Sequence, residues 1–209
     1  MMAMAYLLFL GEAVLISLSG VMAPGPLTAI SVGKGSKAPQ TGALVALGHG
    51  MVEFPLMVLI LYGLGALFKF PYMKGLISLL GGGFLLFTGL GMLRGARAAE
   101  VGEGRYHRST LLAGAFLSLG NPYFLIWWAT VGAALIMRSL SFGVLGFVFF
   151  ALVHWLCDFL WLSLLSVLSF KGGRFFGKGF QKAVFALSGG FLLFFGLKFT
   201  FDALRIMVL

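Results

Sequence analysis

Six stretches of this chain stay apolar for about twenty residues or more: 13–32, 41–68, 75–93, 111–137, 142–169 and 183–203. A helix needs roughly 20 apolar residues to cross a hydrocarbon core of about 30 Å. Each stretch therefore reads as a membrane-spanning helix. The runs are long and unalternated, which argues against a β-barrel, whose short strands alternate in polarity. Composition agrees. Of 209 residues, 60% are hydrophobic and 10% charged, and mean hydropathy is +1.05. A soluble domain carries about 25% charged residues, so an ordinary cytosolic enzyme and a disordered chain are both excluded. The first stretch has no basic segment before it and runs into Pro24-Gly25-Pro26, so it is expected to belong to the fold and not to a cleaved signal. No linker is long enough to separate soluble domains, so residues 1–209 read as one membrane domain.

Fifteen Lys and Arg stand against six Asp and Glu. The bases gather in three connections. These hold Lys34 and Lys37; Arg94, Arg97, Arg105 and Arg108; Lys171, Arg174, Lys178 and Lys182. The opposite side keeps only Lys69, Lys74, Arg138, Lys198 and Arg205. Cytoplasmic loops carry the Lys/Arg excess, so both termini are expected outside, in a multi-pass protein of the plasma membrane. The excess then reports orientation, and no nucleic-acid partner is expected. Lys198 is expected to snorkel outward and pair with Asp202 one turn later. Cys157 stands alone, which excludes an intrachain disulfide and a Cys-based metal site.

The chain also repeats itself. Gly82-Gly83-Phe84-Leu85-Leu86-Phe87 recurs as Gly189-Gly190-Phe191-Leu192-Leu193-Phe194, 107 residues on. The segment around His49 and Glu53 recurs around His154 and Asp158, 105 residues on. A weaker echo sets Leu18-Ser19 before Pro24 against Leu117-Ser118 before Asn121-Pro122. The offsets are about half the chain. Each half, about 1–100 and about 108–209, then holds three spans. Three is odd, so the halves enter the membrane from opposite sides. The expected fold is all-α and integral to the membrane: six transmembrane helices as two inverted three-helix repeats, as in many secondary transporters.

Two motifs break these helices. Pro24-Gly25-Pro26 interrupts the first span and Asn121-Pro122 the fourth, at corresponding places. Proline removes an N–H and clashes with the preceding turn. Unwound backbone at membrane depth is tolerated only against protein or a water-filled cavity, where it can ligate ions or charged substrate groups. Glu53 and Asp158 each lie about 16–18 Å along their helices from the cytoplasmic end, near mid-membrane. Ionisable residues there are rare and mark substrate or ion pathways. They are the candidates for holding a substrate ammonium group or a coupling proton. His49 and His154 stand one turn from each acid, on the same face. Such pairs can hydrogen-bond, relay protons or hold a divalent cation from two helices. Trp127, Trp128, Trp155 and Trp161 suit either a pocket wall or a lipid face.

Together these residues resemble the lysine-exporter (LysE/RhtB) family: Pro24-Gly25-Pro26, an acid at 53, Asn121-Pro122, and Asp158-Phe159-Leu160-Trp161. The resemblance covers essentially the whole chain. It implies an exporter of amino acids or related small metabolites, energised by an ion gradient and dimeric, whose paired membrane acids correspond to Glu53 and Asp158. The reading is thus a secondary-active exporter and not an enzyme, with a small-molecule substrate and a coupling ion. Its site comprises Glu53, Asp158, Pro24, Gly25, Pro26, Asn121, Pro122, His49 and His154. No phosphate loop is present, so no nucleotide cofactor and no ATP-driven pumping are expected. Two alternatives use the same four His and acid side chains: a divalent-cation exporter and a membrane-embedded metalloenzyme.

Overall fold

The computed structural model describes residues 2–23, 25–63, 70–95 and 103–208, and among these there are helices and no strand. Helix α1 (Met2–Val21) stops at Val21, and α2 (Pro26–Gly35) begins at Pro26. Pro26 sits at the first helical position, where its missing N–H is no loss. α3 (Thr41–Leu61) and α4 (Pro71–Gly95) complete the first half. The second half opens with α5 (Glu103–Leu119), broken from α6 (Pro122–Trp127) at Gly120-Asn121. The Asn121 side chain accepts hydrogen bonds from the Tyr123 and Phe124 N–H groups, at 3.1 and 3.4 Å, and so starts α6. A π-helical turn, Trp128–Gly132, leads into α7 (Ala133–Leu140), and α8 runs from Gly143 to Val208.

Among the described residues, five segments are long and apolar enough to cross a membrane: Met4–Val21, Thr41–Leu61, Pro122–Leu140, Gly143–Gly173 and Ala186–Ile206. α4 encloses a shorter apolar stretch, Ser78–Gly91. The all-α membrane architecture is the expected one, but span boundaries move. The expected span 13–32 divides, because one helix stops at Val21 and the next begins at Pro26, while residues before 13 extend the first upstream. The expected span 111–137 divides at Gly120-Asn121 for the same reason.

The connection expected at 170–182 is itself helical. α8 is hydrogen-bonded as a helix over 66 residues, and straight it would be about 99 Å long. Yet Leu162 and Phe195 line one cavity, so α8 folds back on itself. The reversal lies between Ser169, which donates to the Val32 carbonyl, and Gly189, which packs on Gly89. The chain thus returns as two antiparallel arms of one helical run.

Packing follows the internal repeat. α3 runs antiparallel to the first arm of α8: Gly42 lies on the Leu162 backbone and Gly50 on the Trp155 ring. α4 runs antiparallel to the second arm: Gly82 faces Gly196 and Gly89 faces Gly189. Gly82 and Gly189 are the same position of the repeated segment, as are Gly89 and Gly196, so each contact mirrors the other. Helices related by the repeat therefore oppose one another in direction, the geometry of an inverted repeat. Small residues let these backbones approach closely. The large exposed side chains, among them Leu8, Leu15, Val144 and Phe201, suit a lipid-facing belt.

Two apolar layers enclose the middle of the bundle. One gathers Phe9, Leu56, Met57, Ile136 and Phe150; the other gathers Ile30, Val45, Leu117, Leu162 and Phe199. Along α3, His49 and Glu53 fall between Val45-Ala46 and Leu56-Met57. Along α8, His154 and Asp158 fall between Phe150-Ala151 and Leu162.

A Cβ on Gly48 would land on the Leu111 carbonyl of α5, whereas one on Gly83 would meet nothing within 4 Å. Overpacking of this kind costs about 1–3 kcal/mol. Gly48→Val is expected to lower the thermal midpoint of the detergent-purified protein by several degrees and reduce its monodisperse yield. Gly83→Ala is expected to leave both unchanged.

Candidate functional site

Between the two apolar layers α3 and the first arm of α8 bring four ionisable side chains face to face. His49 Nε2 lies 3.1 Å from Glu53 Oε1 and 3.8 Å from Asp158 Oδ1. His154 Nε2 lies 3.3 Å from Glu53 Oε1 and 3.6 Å from Asp158 Oδ2. Histidines and carboxylates thus alternate around a ring. All four residues are buried. The i,i+4 spacing aligns each His with the acid on its own helix; the antiparallel packing aligns it with the acid on the other.

Each histidine is held from behind by a serine of the opposite half. His49 Nδ1 is 2.6 Å from Ser118 Oγ on α5, and His154 Nδ1 is 2.7 Å from Ser17 Oγ on α1. Both serines donate to the carbonyl four residues back, Gly114 and Ala13. A carbonyl can only accept, so each hydroxyl has spent its one proton and must accept from the imidazole. The Nδ1–H donates, and Nε2 is the nitrogen turned to the ring in both cases. The weak echo in the sequence pairs Ser118 with Ser19. The structure pairs it with Ser17, because Ser19 bonds back to Ile16 on another face of the helix.

Aromatic rings close the site. Phe124 stands edge-on to His49, centroids 4.9 Å apart, and Trp128 edge-on to His154 at 4.8 Å. The π-helical turn turns Trp128 inward, and Gly132 leaves the room, since a Cβ there would strike the indole. π-turns inside helices occur frequently at functional sites. Trp127 also lines the cavity. Trp155 instead donates from Nε1 to the Ala46 carbonyl at 3.0 Å. Trp161 lies outside the cavity lining.

The ring forms one wall of a cavity of about 650 Å³. Gly25, Pro26 and Asn121 line it too, so both helix breaks reach the same space as the acids. Pro122 is buried and lines a smaller neighbouring cavity of about 230 Å³ with Asp202 and Arg205. Pro24 lies outside the described residues. Lys198 also lines the large cavity, its ammonium 5.1 Å from the centre of the Tyr123 ring. It makes no ion pair with Asp202 at 4 Å or less, because the cation finds the aromatic face of another helix. Sequence reading overlooked Lys198, Ser17, Tyr123 and Phe124 as site residues. A base inside an apolar span and a serine facing the core were the signals available.

These features define a membrane protein with an internal polar cavity reached by two broken helices. The chain belongs to the LysE type translocator family, whose model matches residues 18–203. It is a multi-pass membrane protein of a transporter family, an exporter of amino acids or small metabolites. No curated protein and no solved structure matches the chain.

Losing a buried acceptor leaves its donor unpaired, at about 1–3 kcal/mol. An exposed ion pair is worth about 0–1 kcal/mol, and Glu12–Arg138, 2.7 Å apart, is half exposed on both sides. Ser118→Ala is therefore expected to lower thermal stability in detergent clearly more than Glu12→Gln does. Equal effects would remove the serine anchor from the account.

Proposed function

We propose that the chain is a secondary-active exporter that carries a small amino compound through this cavity, driven by a proton gradient. One observation supports it above the others: two buried carboxylates and two helix breaks share a cavity of amino-acid size. About 650 Å³ falls within the range of small-molecule sites. In this reading Glu53 and Asp158 receive the substrate ammonium or a proton, and exchange of one for the other couples the two. Gly25, Pro26 and Asn121 present broken-helix backbone to the substrate carboxylate, and Pro24 and Pro122 hold the breaks open. Lys198 attracts that carboxylate at the cavity wall. His49 and His154 orient the acids. Orientation with both termini outside, the plasma membrane and a homodimer complete the proposal.

Glu53→Gln and Asp158→Asn keep shape and remove charge. Each is expected to lower proton-driven efflux of amino acids from proteoliposomes at least tenfold. Lys198→Gln is expected to raise KM with little change in maximal rate, as loss of uniform binding does. Unchanged efflux in both acid variants would overturn the role given to the pair.

A further inference from the structure

The amino-acid reading makes little use of the histidines, yet they are the most constrained side chains in the site. We infer that His49, Glu53, His154 and Asp158 form a binding site for one divalent transition-metal ion of the zinc type.

The donor set is right in kind and in spacing. Zinc takes imidazole nitrogen at about 2.0–2.1 Å and carboxylate oxygen at about 2.0–2.2 Å, in tetrahedral array. Donors around such an ion stand roughly 3.3–3.6 Å apart. The four His–carboxylate separations here are 3.1, 3.3, 3.6 and 3.8 Å. Glu53 Oε1 serves both histidines, whereas Asp158 turns Oδ1 to His49 and Oδ2 to His154, so one ion held by all four residues would take this carboxylate through both oxygens or after a small turn of it. Ligand atoms of His49, Glu53 and Asp158 all lie within 4.8 Å of one another.

The surroundings are those of a ligand shell. A metal-bound histidine generally donates its other ring N–H to a fixed acceptor. Both histidines do so here, to Ser17 and Ser118, and both serines are locked by backbone carbonyls. Nε2, the nitrogen left over, faces the carboxylates each time. Glu53 Oε2 and Asp158 Oδ2 are buried with no hydrogen-bond partner. Acceptors left unpaired in an apolar bundle are costly, and a cation bound by the two carboxylates would offset that cost. Two imidazoles favour zinc, cobalt or nickel; magnesium and calcium prefer all-oxygen sites.

The inference rests on the export reading in one respect only: an ion in the ring would hold the two carboxylates proposed to take the substrate, so it would compete with efflux. Binding itself is measured without transport. Tag-free protein in detergent, freed of metal with a chelator, is titrated with zinc and with cobalt(II), and with magnesium as the contrast. The expected result is one zinc per chain, a visible cobalt spectrum of tetrahedral type, and no competition by magnesium. The His49→Ala, His154→Ala double variant is expected to lose the site. Ser17→Ala and Ser118→Ala keep all four ligands and are expected to weaken it about 10–100-fold. Circular dichroism and thermal midpoint check that each variant is folded. No saturable binding, or binding unchanged in the double histidine variant, overturns the metal site and leaves export standing. Metal binding by a protein that exports no amino compound overturns the export reading and leaves the metal site.

Discussion

A charged side chain at the centre of a bilayer costs about 2.5–3.5 kcal/mol even on lenient scales, and this chain buries two carboxylates and two histidines together. None of the four is tolerable alone. Glu53 is fully buried on α3, and its Oε1 stands 3.1 and 3.3 Å from the Nε2 atoms of His49 and His154. The imidazoles in turn stay in place because Ser118 and Ser17 hold their far side. Several other polar groups turn to backbone carbonyls, as Trp155 does toward Ala46 and Ser169 toward Val32. The bundle is organised around one polar layer, with an apolar layer on either side of it.

Symmetry is how that satisfaction is reached. The histidine of the first half is anchored by a serine of the second, and the reverse. Neither half could complete its own site: α3 needs α5 behind it and the first arm of α8 in front. The glycine pairs Gly82–Gly196 and Gly89–Gly189 are exchanged in the same way on the flank of the bundle. Because α3 and the first arm of α8 pack antiparallel, one sequence motif, His followed four residues later by an acid, yields a ring and not two separate pairs. Antiparallel helices place the His of each opposite the acid of the other.

That much was legible from residues alone. His49, Glu53, His154 and Asp158 stand out because ionisable groups are rare in apolar spans and because they recur at half-chain spacing. The helix breaks were legible as well, since proline and glycine act locally. What escaped depends on distance in the fold. Ser17 and Ser19 both precede the first break, but two residues turn a helix by about 200°, so only one of them faces His154. Lys198 has Asp202 one turn away in sequence, while Tyr123 reaches it only through packing. The fold-back of α8 was read as a charged connection. That stretch mixes Lys, Arg and Gln, which favour helix, with Gly172, Gly173, Gly177 and Gly179, which allow sharp bends, so it stays helical in the main while the chain turns back.

The two apolar layers bear on how an occupant would leave. The ring forms one wall of the 650 Å³ cavity, whose lining takes Trp128 from one apolar layer and Leu162 from the other. Under the export reading each layer must part in turn, and never both together. The elements free to do this are those the helical ladder does not tie to their neighbours. The places where α1 stops at Val21 and α2 restarts at Pro26, and where α5 gives way to α6 at Pro122, are such sites, since the helical ladder is interrupted at a proline that has no N–H. α2 rests mainly on α8, and α6 is a helix of only six residues capped by Asn121. Motion of these short segments would open a layer while α3 and the first arm of α8, which carry the ring, stayed fixed. The repeat then supplies one hinge for each side of the membrane.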